Sequence, residues 1–430
     1  MFEHEIGQLA SSIRHAVMKY KKAGPPITRR LVRVRRADFT LKYHEDFGIG
    51  NFSPERIEED IWDSRDQERF QDSVVKSLEE YKSLVSALGP NTVPLERFAS
   101  AVSSASFQGL DDGELAERVR AFARELGGEP LPVTVTAFID GLSIDESPLA
   151  ISDRSHLRRP TPEDTAECLV VDEHGGFKFP LGDTWFRVVG DFVFDAVYTG
   201  SAQVEFLRKV EALRLFRVGG VASNRYTIRS RHSFGGGTLS GGGRYSRFTY
   251  TLSRSDVVSL NTFLRDIVPL LPDPLHLDEG TTEREIAYTR YRDGLFQVGP
   301  SERAITSAIT ALEALFLKTE PELTRRLAQR VSVFLRVLGT QVDAQRTYEN
   351  VSKGYKIRSI FIHGGSLKAR DRPEADSLAA VLLEYARECA LAFFQLATKK
   401  DDLLSQLDRA MIEPASVNDL VASLGAVVYR

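Results

Sequence analysis

The stretch Tyr355-Lys-Ile-Arg-Ser-Ile-Phe-Ile-His363, closed by Gly364-Gly365, decides how the last third of the chain is read. Ile357 to Ile362 is rich in β-branched side chains and, taken alone, suits a strand. Its setting favours a helix. Val351, Tyr355, Arg358 and Ile362 fall on one face at helical spacing. The glycine pair after His363 is where such a helix stops. Helical patterns also fill 282–293, 301–318, 322–338 and 373–397, on both sides of the helix at 343–363. From about residue 278 onward the sequence predicts helices and no strands.

Upstream the pattern is mixed. Ile6, Leu9, Ile13 and Val17 predict a helix over 3–22, ended by Gly24-Pro25-Pro26. Residues 27–42 alternate basic and apolar side chains, which predicts a half-buried strand carrying Arg29, Arg30, Arg33, Arg35 and Arg36. A solvated face is the default for that strand, a nucleic-acid or partner contact the minority reading. Ser53-Pro54-Glu55 reads as the start of a charged helical stretch over 53–88. Another helix is expected at 113–126, stopped by Gly127-Gly128.

From about 130 short β-type runs take over: Leu131 to Phe138, Trp185 to Val189, Phe192 to Phe194, Tyr226 to Ile228 and Arg247 to Leu252. The fold class expected is α+β and multidomain, a mixed, β-rich N-terminal and middle region followed by an all-α bundle. The expected divisions are 1–130, mostly helical with a basic strand; 131–275, a β-rich domain for sensing or RNA contact; 276–400, helical; and 401–430, an extension of short helices or loose packing.

Composition limits the function classes. At 430 residues, with 42% hydrophobic and 27% charged residues, the chain reads as soluble and globular. Its formal net charge is -4, so any nucleic acid must be met by a local patch. Cys168 and Cys389 lie far apart without metal-type spacing, which fits a reducing cytoplasm. No secretory leader and no apolar run of bilayer length is expected, hence no membrane partner. His4, His15, His44, His156, His174, His232 and His276 form no spaced cluster, and no metal or other cofactor is assigned.

The chemistry-bearing candidates gather near the C-terminus. Arginine is permanently charged and suited to gripping phosphate, and histidine moves protons near neutral pH. Arg358 sits in an apolar stripe, where an unpaired guanidinium is costly. Glu313 falls at the edge of the stripe Ile305, Ile309, Leu312, Phe316 and needs a partner of its own. The competing structural reading pairs Arg358 with Glu313 as a bridge and leaves His363 at a helix C-terminus, where its charge suits the dipole. A second basic segment flanks the run Phe234 to Gly243. Arg225, Arg229, Arg231, Arg244 and Arg247 interleave with aromatics, which suits RNA contact, against an ordinary exposed hairpin. The glycine run lacks the Gly-Lys-Ser/Thr of a phosphate loop and is expected to be a flexible loop between strands.

Residues 278 to 400 resemble a HEPN domain, more narrowly the Apea-like HEPN group. The resemblance rests on Ala311-Leu-Glu-Ala-Leu-Phe316 and on Tyr355-Lys-Ile-Arg-Ser-Ile-Phe-Ile-His-Gly364, whose arginine and histidine are separated by four residues. It implies a metal-independent endoribonuclease whose catalytic residues are Arg358, His363 and Glu313, with Ser359 and Tyr355 auxiliary. Ser359 stands where many members carry Asn, Asp or His. The resemblance also implies a homodimer through the helical domain, an RNA substrate with tRNA among the candidates, and a role in antiphage abortive infection. A phage-derived trigger or an inhibitory partner is then expected, with the first 275 residues serving recognition or restraint. The rival expectation is a non-catalytic dimerisation or binding module.

Overall fold

A computed structural model describes the chain apart from residues 1, 24–27, 38–51, 61–63, 90–92, 128–131, 153–154, 159–169, 172–176, 179–191, 200–201, 230–236, 241–245, 319–321, 341–342 and 430. Its described part is mostly helical. The expected strand at Trp185 to Val189 lies outside the described residues.

The N-terminal elements are α1 (Glu3–Ala23), β1 (Thr28–Ala37), β2 (Phe52–Asp60), α2 (Ser64–Ser73), α3 (Glu79–Leu88), α4 (Val93–Gln108) and α5 (Asp112–Leu126). The helices share one buried core. Ile6, Leu9, Ile13 and Val17 of α1 face Phe98 and Phe122, whose rings stack at 4.4 Å. The helix start expected at Ser53 is wrong, because Ser53 lies in strand β2. There the antiparallel register sets Arg29 opposite Glu59, Arg30 opposite Glu58 and Arg33 opposite Glu55. A basic strand has found an acidic complement, a cross-strand pairing that a local Ser-Pro-Glu signal does not reveal.

The middle elements are β3 (Pro132–Asp140), β4 (Leu142–Ile144), β5 (Leu149–Ser152), β6 (Ser155–Arg158), β7 (Val170–Val171), β8 (Phe177–Lys178), β9 (Phe192–Thr199), α6 (Ala202–Phe216), β10 (Ala222–Arg229), β11 (Gly237–Ser240), β12 (Tyr250–Leu252) and α7 (Val257–Ile267). Six strands form one antiparallel sheet in the order β11-β10-β3-β9-β6-β5. Val135, Ala137 and Ile139 alternate along β3 into the core that also holds Phe206 and Val210 of α6. Gly237 to Ser240, expected to be loop, is the edge strand β11. Helices α6 and α7 were not foreseen.

The C-terminal elements are α8 (Glu283–Leu295), α9 (Ser301–Phe316), α10 (Leu323–Val337), α11 (Ala344–Ile362), α12 (Arg372–Gln395), α13 (Lys400–Ala410) and α14 (Ser416–Leu424). The described residues of this region form helices and turns and no strand, as expected, and Ala344–Ile362 is helix rather than strand. Helix α9 is central, packed against α8, α11 and α12. Phe316, Phe334 and Phe393 pack edge to face or tilted, with centroids 5.1 to 5.6 Å apart. The tail is packed too, since Leu403, Leu404, Leu407, Leu420 and Leu424 lie in the same core.

That core runs without a break from Val135 to Val427, across the expected division at 275/276. The C-terminus of α6 shows why. A helix leaves its last four carbonyls without partners. Here Tyr250 Oη donates to Leu213 O at 2.8 Å, Tyr291 Oη to Arg214 O at 2.7 Å, and Arg387 Nη1 to Leu215 O at 2.7 Å. Tyr288 Oη donates to the Glu211 carboxylate, itself paired with Arg214. Two of the capping groups, Tyr291 and Arg387, come from α8 and α12.

Candidate functional site

The site expected at Arg358 is assembled by a close helix crossing. Gly354 makes it close: a Cβ there would lie 2.5 Å from Leu382 Cδ1 and 3.0 Å from Ile309 Cδ1. With no side chain in the way, α11 sits against α9 and α12. Tyr355 and Arg358 then reach Glu313 on α9. Arg358 Nη2 is 3.0 Å from Glu313 Oε2, and the Tyr355 hydroxyl hydrogen-bonds the same carboxylate. The guanidinium also lies 5.5 Å over the Tyr355 ring. Burial pushes the Glu313 carboxyl up, against the opposing pull of Arg358 and Tyr355. Burial, followed by the charge of Glu313, also pushes Tyr355 up. Arg358 Nε is buried and donates to no described group.

His363 is placed differently. It is the C-cap of α11, at φ -84° and ψ 15°. Gly364 follows at φ +80°, a conformation that glycine adopts without strain. Its N–H donates to Phe361 O, and that of Gly365 to Ile360 O at 2.9 Å, the paired bonds of a Schellman stop. The His363 ring is exposed and makes no side-chain hydrogen bond among the described residues. Five residues on a helix advance about 7.5 Å and turn about 140° relative to Arg358. Glu313, Tyr355 and Arg358 therefore form one cluster. His363 stands apart from it, sharing a face with Lys356, Ser359 and Ile360. Ser359 is half-buried, and its carbonyl accepts the His363 N–H at 3.2 Å. Ile360 and Ile362 beside the ring are 46% and 53% exposed.

The other expected contact region is only partly described. Arg231 and Arg244 lie outside the described residues. Arg225 and Arg229 take strand positions alternate to Tyr226, which is buried 5.1 Å from the Phe206 ring. Arg247 lies 3.3 Å from Asp376 of α12, its guanidinium 5.0 Å over Phe248. It is thus tied to the protein's own surface.

Sequence reasoning passed over Glu388. Its Oε2 is buried with no hydrogen-bond partner among the described residues. Burial, then the charge of Glu384, push this carboxyl up to about 7 against the pull of Arg387. It also passed over Lys356, Lys368, Arg370 and Arg372, all exposed. Their signal was present: residues 353–372 hold six Lys and Arg against one Asp. Among the described residues no group of three or more His, Cys, Asp and Glu converges as metal ligands. Among the described residues, clefts lie along α1 and between α8 and α13, and neither Arg358 nor His363 lines them. No described helix is long and apolar enough to cross a membrane.

Comparison with family models finds no match, and comparisons with curated proteins and solved structures find none either.

Proposed function

We infer that the chain is a metal-independent endoribonuclease of the HEPN type, acting as a homodimer in the cytoplasm. The observation that carries this reading is the contrast between two side chains five residues apart. Arg358 is fixed by Glu313 and Tyr355, with its Nε–H unspent. His363 is unengaged at a rigid helix end, flanked by exposed isoleucines that a second copy would cover. In the dimer, His363 of one protomer removes the proton of a ribose 2′-hydroxyl. The 2′-oxygen attacks phosphorus and the bond to the 5′-oxygen breaks. The second protomer's histidine gives that oxygen a proton. Arg358 stabilises charge building on the phosphoryl oxygens. The products end in 2′,3′-cyclic phosphate and 5′-hydroxyl, and DNA is spared.

The deciding assay incubates the protein and its His363→Ala variant with total RNA and tRNA in EDTA, and maps 3′ ends. Cleavage by the wild type alone, with cyclic phosphate ends, is expected. Equal cleavage by both would remove the reading; no cleavage by either would leave a restrained nuclease or a binding module, which the restraint-loosening variants Glu211→Gln and Arg387→Met separate. Light scattering should give a dimer at micromolar concentration; a fully active monomer would sink the shared-site mechanism. The setting we propose is antiphage defence, with a phage component or an inhibitory partner controlling activity. Wild-type but not His363→Ala protein should then reduce phage plating in a bacterial host.

One observation favours the rival, a non-catalytic dimerisation or binding module. The Arg358–Glu313 pair is closed and internally neutral, as a structural bridge would be. RNA binding without products, under the same assay, would establish that alternative.

A further inference from the structure

The turn that follows His363 is anchored at one point and strongly basic elsewhere. Leu367 packs on the core, and its backbone N–H donates to the buried Glu302 carboxylate at 3.2 Å. Asp371 N–H closes the next turn onto Lys368 O at 2.9 Å. Around these anchors Lys368, Arg370 and Arg372 point into solvent. Among the described residues, Lys368 and Arg372 have no ion-pair partner, and Arg370 has only its neighbour Asp371, at 3.5 Å. Lys356 lies seven residues before His363, two turns down the same face of α11.

These cations do not serve the fold. Arg370 and Arg372 crowd the start of the 24-residue helix α12. A helix N-terminus carries the positive end of the macrodipole, so each cation there is unfavourable. The charge is also local. With six Lys and Arg against one Asp, residues 353–372 carry +5; the rest of the chain, with 50 against 59, carries -9. Lys353 and Arg358 are paired with Glu374 and Glu313 on other helices, and Arg370 with its neighbour Asp371. Lys356, Lys368, Arg370 and Arg372 are all exposed and flank His363 along the chain, a basic stretch on an otherwise acidic protein.

We propose that Lys356, Lys368, Arg370 and Arg372 form the phosphate-binding track that seats a single-stranded nucleic-acid backbone beside His363. Binding is then driven by counterion release and is indifferent to base sequence. The proposal rests on residues 355–363 being the nucleic-acid face, but not on cleavage. It names a track distinct from the glycine-flanked basic segment, whose Arg247 is engaged with Asp376.

The test measures fluorescence anisotropy of a labelled oligouridylate of about a dozen nucleotides on the full-length His363→Ala chain, so that cleavage cannot confuse binding. The combined variant Lys368→Ala, Arg370→Ala, Arg372→Ala should bind at least about tenfold more weakly at about 50 mM salt. The slope of log affinity against log salt should fall by about 2, from roughly 0.7 per lost phosphate contact. Single-stranded DNA of the same length should show the same loss. A control that removes exposed cations elsewhere, Lys19→Ala with Lys22→Ala on α1, should bind as the parent does. Thermal melts check folding, and none of the three side chains is buried. Unchanged affinity and slope in the combined variant, or no binding by the parent, overturns the track. Intact binding without wild-type cleavage overturns the nuclease reading and leaves the track standing.

Discussion

Arg358 and His363 differ in what surrounds them, and so in what their removal does. Arg358→Ala leaves Glu313, only 16% exposed, without its cation. Chemical denaturation should register a loss of roughly 1–3 kcal/mol. His363→Ala removes an exposed ring with no bonded partner, and its stability should stay within about 0.5 kcal/mol of wild type while cleavage is abolished. If His363→Ala destabilised as much as Arg358→Ala, the histidine would be a structural cap. Glu388 gives a pH-dependent case. Its folded value, about 7, lies above the ordinary glutamate value of 4.5. The folded state therefore holds the proton more tightly than the unfolded chain. Its full benefit is present below about pH 4.5 and is lost as pH rises through about 7. Glu388→Gln should match wild type at the acid end and exceed it above pH 7, by an order of 1–3 kcal/mol. A stability difference flat across that window would show that the carboxyl is solvated. The Glu313–Arg358 pair was legible in the sequence, because a guanidinium in an apolar stripe demands a carboxylate nearby. Glu388 was not, since helical position alone does not say which carboxylate oxygens end up buried without a hydrogen bond.

Among the elements, α11 was the most legible and its seating the least. Periodicity and the terminal glycines gave a helix ending at His363, and the structure ends it at Ile362. Nothing local said that Gly354 is where α9 and α12 come within contact of the α11 backbone. Gly354→Val places branched atoms where Leu382 and Ile309 already lie. It should cost about 1–3 kcal/mol through overpacking, and it should also weaken Arg358–Glu313, because the helix must move away. Combining Gly354→Val with Glu313→Ala would then cost less than the sum of the two. Full additivity in that cycle would mean that the helix had not moved. The elements misread have a common cause. Strand β2 opens with a sequence that locally starts helices, yet it pairs antiparallel with β1 along its length. Helix α6 has little contrast between its faces, because the sheet covers one and the C-terminal helices cover the other. An element buried on both sides loses the periodicity by which sequence reveals it.

At the scale of the molecule, the C-terminal helical region is not a free-standing body. Buried Tyr291 and Arg387 donate to carbonyls at the end of α6, and Tyr288 donates to Glu211. At the other end Arg330, 2% exposed, is bonded to Asp408 on α13 at 2.8 Å and to Phe316 O at 2.8 Å. Cutting the chain to 276–400 removes Glu211, Leu215 and Asp408 together. Tyr288 and Tyr291 then lose their bonds to Glu211 and Arg214 O, while Arg387 keeps Glu384 but loses Leu215 O and Arg330 keeps Phe316 O but loses Asp408. Each loss costs about 1–3 kcal/mol, and the core facing Phe206, Leu213 and Leu407 opens to water. Total stabilities of about 5–15 kcal/mol do not absorb such losses. The fragment 276–400 should keep helical far-ultraviolet dichroism yet bind hydrophobic dye and melt without cooperativity. A chain of residues 132–430 keeps the whole second core and should unfold cooperatively. A sharp cooperative melt of 276–400 would refute the interlock. If the fragment fails as expected, restraint of the site by the N-terminal region has to be probed in the intact chain. Glu211→Gln and Arg387→Met would loosen the α6 contact there without removing it, and a matching rise in RNA cleavage would show that α6 restrains the helices it caps.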